Sequence, residues 1–309
     1  MTGQAEVAEQ SVAIPDARES DGAHLEGPAL PGFQQFSFGF QGACHCVYYA
    51  GDRSHPALLL MPEIAGLSPG LIYFAQRLVA ARFQVYLPWL FGPFGRRAPL
   101  LNILRPCISR EFAHLRAGRS APVTSWLRAL TQHISRNNRD SHVGAIGMCL
   151  TGGFAIPLII DPLVPAAVAA QPSVPCSLLY AACGVHVPTK MSALNVNAEE
   201  VSQARARLAS GEARMLAVRC RADRICPADK IERLRQEFPI GLTVQEYGEP
   251  TCRNSMGDRP HAIYTKEFRI LRPDQVEHYA RRAFDDLVQF FAPLRNEDSR
   301  IRGELLSPG

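Results

Sequence analysis

Apolar positions along this chain alternate between a period of two and a period of three to four. Short aromatic and β-branched runs over 35–40 and 44–50 flank Gln41-Gly42, which predicts an antiparallel hairpin. Residues 57–61 (Ala-Leu-Leu-Leu-Met) form an unbroken apolar run, as expected of a strand covered on both faces. Ser68-Pro69 then offers an N-cap followed by proline at the first helical position. Leu71, Phe74, Ala75, Leu78 and Val79 fall on one face of the helix so opened. Further strands are predicted over 84–90, 142–147, 165–170, 215–220 and 242–247. Helices are predicted over 108–115, 123–134, 150–160, 229–238 and about 274–291; in the second, Val123, Leu127, Leu130 and Ile134 make an apolar stripe. The segment 176–211 interrupts the alternation and holds one helix, announced by Asn197 and Glu200 at capping-box spacing.

Strands alternating with helices predict the α/β class, a mainly parallel sheet covered by helices on both faces with the first hairpin at one edge. Residues 1–32 are poor in apolar patterning and read as a mobile arm, 33–293 as the α/β domain with a helical insertion near 176–211, and 294–309 as a flexible tail. In sheets of this kind ligands sit at the carboxyl ends of the strands, so chemistry is sought just after them.

Composition narrows the field. The 309 residues are 47% hydrophobic and 20% charged, ordinary values that leave ample material for a core. The net charge of +4 is spread along the chain, without a basic block suited to nucleic acid or an anionic membrane. The polar, acidic start lacks a signal-peptide pattern, and no apolar run spans a bilayer. Nine scattered cysteines then read as reduced thiols in a cytoplasmic protein.

The strongest local signal is Gly147-Met148-Cys149-Leu150-Thr151-Gly152-Gly153, between a predicted strand and a predicted helix. Small residues permit the sharp turn of a nucleophile elbow, and the helix N-terminus favours the thiolate of Cys149. The Leu150 amide is then available to an oxyanion. Thr151 stands where the second glycine of G-x-[SC]-x-G belongs, and a buried structural cysteine before a glycine-rich helix remains open on this motif alone. Chain order adds weight. Asp223 follows the strand 215–220, and His261 lies in the loop after the last strand. Nucleophile, acid, histidine is the order of the α/β-hydrolase fold, with His261 taking the proton and Asp223 fixing its tautomer. Glu63, in Met61-Pro62-Glu63-Ile64, directly follows a strand and is costly if buried there without a partner.

These residues together resemble the dienelactone hydrolase family. The likeness runs from about residue 33 to 291 and rests on Pro62-Glu63-Ile64, the Gly147–Leu150 elbow, Ala222-Asp223-Arg224-Ile225-Cys226-Pro227 and Pro260-His261-Ala262. It implies Cys149 as nucleophile and Asp223 and His261 as the rest of a triad. It further implies Glu63 as the residue controlling the protonation of the cysteine, and the amides of Ile64 and Leu150 as the oxyanion hole. Two arginines that bind a substrate carboxylate in the family are missing here: Trp89 and Pro93 interrupt the first run, and Thr265 stands four residues after His261. Arg96 or Arg97 could substitute, although paired loop arginines usually face solvent.

Other features carry less. In Cys44-His45-Cys46 the cysteines share one strand face and the histidine the other, which disfavours a metal site. Cys220 and Cys226 flank Asp223 and read as packed thiols rather than a redox pair. The helix around 197–211 reads equally as a lid or a solvated insertion. The expectation is thus a cofactor-free, metal-free hydrolase of a small-molecule ester or lactone, acting through an acyl-cysteine, without nucleic-acid or membrane partners. The alternative is a non-catalytic ligand-binding or thiol-sensing protein of the same fold. Substrate identity, oligomeric state and the choice between hydrolysis and acyl transfer are left open by the sequence.

Overall fold

The computed structural model describes residues 25–90, 122–138, 141–174, 177, 180, 183–194, 196–253, 260–268 and 278–305. The helix expected over 108–115, and Pro93, Arg96 and Arg97, lie outside them.

The fold is an α/β-hydrolase fold built on an eight-stranded sheet. Its strands are β1 (Gln34–Phe40), β2 (Ala43–Ala50), β3 (Ala57–Met61), β4 (Gln84–Pro88), β5 (Val143–Met148), β6 (Ala166–Ala170), β7 (Arg214–Cys220) and β8 (Leu242–Tyr247). The spatial order is β1-β2-β4-β3-β5-β6-β7-β8. β2 is antiparallel to both neighbours, and the other pairs are parallel. In the β1–β2 hairpin Gln41 (φ 49°) and Gly42 (φ 78°) are both left-handed, the turn geometry whose twist matches paired strands.

Alternate residues of the central strands feed two separate cores, which is why these strands are apolar throughout. From β3, Ala57, Leu59 and Met61 join Trp126, Leu127, Leu130 and Ile134 of α2 (Pro122–Asn137) on one face. Leu58 and Leu60 join Leu71, Phe74 and Leu78 of α1 (Pro69–Ala80) and Ala280, Phe284, Leu287 and Phe291 of α7 (Tyr279–Leu305) on the other. The first face also carries α3 (Ala155–Leu158), α5 (Ala198–Ala209) and α6 (Ala228–Glu237), and α4 (Pro188–Met191) lies in the connection between β6 and β7.

Three local outcomes depart from the pattern. The helix expected over 150–160 is a 3-10 turn, Cys149–Phe154, followed by the single α turn of α3. Gly152-Gly153 disfavour α-helix, and Pro157 donates no hydrogen bond. The C-terminal helix continues through Pro293 to Leu305, where a flexible tail was expected; the residues from 294 onward are mostly good helix formers. At the other end, part of the expected arm is held against the sheet. Leu30 is buried, Gly27 exchanges hydrogen bonds with Gln35, and Tyr48 donates to the Pro28 carbonyl at 2.9 Å.

Strand register brings the ends of the central strands level. Met61 pairs with Gly147, and Met148 with Ala170. Glu63, Cys149 and Gln171 therefore leave the sheet one after another at the same carboxyl edge.

Candidate active site

Cys149 sits at the turn from β5 into the 3-10 segment with φ of +55°, a backbone region that L-residues occupy only when surrounding structure enforces it. The enforcement is visible. A Cβ on Gly147 would lie 2.2 Å from the Thr151 carbonyl, and one on Gly152 2.8 Å from Pro172 Cα, so both glycines are needed for the chain to close. Thr151 is fully buried and holds the turn. Its Oγ1 accepts from the Met148 amide at 2.9 Å and reaches the carbonyls of Met148 (3.0 Å) and Met61 (3.2 Å). The residue that broke the glycine pattern thus ties the elbow to the end of β3. Cys149 is 3% exposed.

The segment after β6 lies alongside. The Ser173 amide donates to the Cys149 carbonyl at 2.9 Å, and Ser173 Oγ lies 3.2 Å from Cys149 Sγ. Two residues earlier, Gln171 donates from Nε2 to Glu63 Oε1 at 3.2 Å. Thr265 Oγ1 donates to the same oxygen at 3.0 Å, so the buried carboxylate beyond β3 is anchored from two directions. Thr265 is delivered by a π-helical turn, Ile263–Glu267, of the kind that often marks functional positions. α1 clamps that turn. Tyr264 stacks on Phe74 with ring centroids 5.0 Å apart, and Gly70 lets the helix approach the Thr265 backbone.

Asp223, three residues past β7, uses both carboxylate oxygens. Oδ1 accepts from the amides of Ile225 (2.8 Å) and Cys226 (3.0 Å), and Oδ2 meets His261 Nδ1 at 2.6 Å. Its side chain is 1% exposed. Burial opposes charge on His261, but the Asp223 carboxylate and the Cys149 side chain outweigh it and hold the imidazole pKa well above its usual range. His261 Nε2 is buried and neighbours the Cys149 side chain. Burial, then the Asp223 carboxylate, pushes the thiols of Cys220 and Cys226 up, so both stay protonated near neutrality.

The residues singled out from sequence therefore converge on one edge: Cys149, Asp223 and His261 together, with Glu63 held from beyond β3. Ile64 and Leu150 are buried in the turns after β3 and β5. Leu150 occupies the first turn of the 3-10 segment, where a backbone N–H has no acceptor within its own helix. Ser173, Gln171 and the role of Thr151 were not anticipated. The available signal was Gln171-Pro172-Ser173 directly after a strand at this edge. Among the described residues no cluster of three or more His, Cys, Asp or Glu side chains could hold a metal ion, and no helix is long and apolar enough to cross a membrane. His45 packs on Trp126 whereas Cys46 joins the opposite core.

The sequence model of the dienelactone hydrolase family matches residues 46–247, most of the chain. The chain belongs to that family. No curated protein matches the sequence significantly. Among solved structures, a candidate dienelactone hydrolase of Klebsiella pneumoniae aligns with a TM-score of 0.55 at 18% identity, over 84% of this chain and 98% of that one. A dienelactone hydrolase-like promiscuous phosphotriesterase from metagenomic libraries gives 0.54 at 13% identity, over 85% and 98%. An esterase of Pyrococcus furiosus gives 0.51 at 11% identity, over 88% and 98%. These likenesses show the shared fold. Membership of the dienelactone hydrolase family makes the chain a hydrolase.

Proposed function

We propose that this protein hydrolyses a small ester or lactone through an acyl-cysteine formed on Cys149. The observation that carries the reading is the Asp223–His261 pair, at 2.6 Å, beside a buried cysteine held in a left-handed elbow. Asp223 keeps a proton on His261 Nδ1, so Nε2 is the atom that exchanges protons with the reacting groups. As substrate enters, Glu63 governs transfer of the thiol proton to His261 Nε2, and the Cys149 thiolate attacks the carbonyl carbon. The amides of Ile64 and Leu150 hold the oxyanion. Protonated His261 gives its proton to the departing alkoxide. His261 then takes a proton from water, which adds to the thioester, and collapse returns the electron pair to sulfur.

Rapid-quench mass spectrometry with p-nitrophenyl acetate and with a small unsaturated lactone tests this. The expected result is an acyl adduct on Cys149 with continuing product release, and a loss of turnover on the order of a thousandfold or more in Cys149→Ala. An unmodified Cys149, or one acylated once without turnover, would overturn the reading in favour of a ligand-binding or thiol-sensing protein.

A further inference from the structure

We infer that Ser173 is a further catalytic residue, whose hydroxyl donates a hydrogen bond to the Cys149 thiolate both before attack and as sulfur departs from the acyl-enzyme. The inference rests on Cys149 being the nucleophile. It starts from a contact with the reacting atom itself, Ser173 Oγ to Cys149 Sγ at 3.2 Å. The hydroxyl makes no other hydrogen bond among the described residues, and Ser173 is 4% exposed, so its proton is not committed to bulk water.

The placement is fixed by backbone. The Ser173 amide is bonded to the carbonyl of Cys149, so serine and cysteine are joined at both main chain and side chain. Pro172 packs on Gly152, one turn beyond the cysteine. Gln171, in a left-handed conformation (φ 37°), turns the chain off β6 and is itself held by Glu63. The tripeptide 171–173 therefore touches the carboxylate with its first residue and the thiol with its last.

Chemistry says what such a hydroxyl does. A thiolate in a site this buried has lost its hydration, and a donated hydrogen bond favours the charged form over the neutral one. In acylation the S–C bond forms and sulfur gives up its charge. In deacylation water adds while His261 takes its proton, the C–S bond breaks, and the electron pair returns to sulfur. A hydroxyl beside the sulfur stabilises it as the leaving group in the second step.

The test compares wild type, Ser173→Ala and Ser173→Thr in two measurements. One is the pH profile of Cys149 alkylation by iodoacetamide, mapped by mass spectrometry; the other is kcat/KM for p-nitrophenyl acetate. Ser173→Ala is expected to alkylate roughly tenfold more slowly at pH 7, with its profile displaced to higher pH, as loss of a hydrogen bond to a charged group implies. Ser173→Thr, which keeps the hydroxyl, recovers most of the loss. A folded Ser173→Ala with wild-type profile, or equal loss in both variants, overturns the inference. Should Ser173→Ala fail to fold, Ser173→Gly removes the same hydroxyl and is judged alike. Alkylation needs no turnover, so a wild type that hydrolyses nothing defeats the hydrolase reading while leaving this comparison decisive. A wild type active through Cys149 with an unchanged alanine profile defeats Ser173 alone.

Discussion

Thr265 Oγ1 donates to Glu63 Oε1 across 3.0 Å, joining the loop beyond β3 to the turn that follows His261. Thr265 occupies the position where the family resemblance implies an arginine for a substrate carboxylate. Here a hydroxyl at that position serves the carboxylate of Glu63 instead, together with Gln171. A buried carboxylate deprived of a donor bears its desolvation cost uncompensated. Thr265→Val keeps shape and removes the donor, so it is expected to destabilise the fold by about 1–3 kcal/mol and to lower kcat/KM. Urea denaturation and steady-state kinetics check both; a variant matching wild type in each would remove Thr265 from the account.

A second prediction concerns the elbow. Thr151→Gly would restore the familiar G-x-C-x-G spacing, and resemblance alone would favour it. The hydroxyl that joins Met148 to Met61 would be lost, however, and a flexible residue introduced two positions from the left-handed Cys149. The expected result is a protein less stable by about 1–3 kcal/mol with reduced activity, and Thr151→Val should lose a similar amount. Equal or greater stability of the glycine variant, measured by thermal and denaturant unfolding, would refute the argument.

How far the sequence carries is clear from these residues. The apolar run of β3 and the N-cap at Ser68 are local signals, and the structure follows them closely. The elbow was also local, because Gly147 and Gly152 are required by contacts within a few residues and to the adjoining strand. The Glu63–Thr265 and Cys149–Ser173 contacts are different in kind. They join residues far apart in sequence: Cys149 meets Ser173 because β5 and β6 end level, Met148 beside Ala170, and Thr265 is carried by a turn packed against α1. A serine after a strand looks like any loop serine until the neighbouring strand is known. The C-terminal end is the opposite case, since the tail expected over 294–309 is helical to Leu305, with Pro293 accommodated within α7.

Thiol reactivity offers a third prediction with a simple readout. Cys183 is exposed, whereas Cys46, Cys220 and Cys226 are buried, and burial raises the pKa of each of these three. Brief iodoacetamide treatment of native protein should label Cys183 and spare Cys46, Cys220 and Cys226 until the fold is denatured. Early labelling of Cys226 would mean that the loop carrying Asp223 opens far more readily than its packing implies.

The last prediction follows from charge on His261. Asp223→Asn keeps an oxygen for the amides of Ile225 and Cys226, so the turn survives, but it removes the negative charge facing His261 Nδ1. In the wild type that charge, with Cys149, overcomes burial and raises the histidine pKa. A pKa raised on folding contributes stability that is complete below the unfolded value, about 6.5, and is lost as pH rises through the folded value. In the asparagine variant burial is left to dominate, and protonated His261 is no longer favoured by folding. The difference in melting temperature between wild type and Asp223→Asn should therefore be largest near pH 5–6 and shrink steadily toward alkaline pH. A difference that stayed constant over that interval would show that Asp223 supports the loop without holding charge on His261.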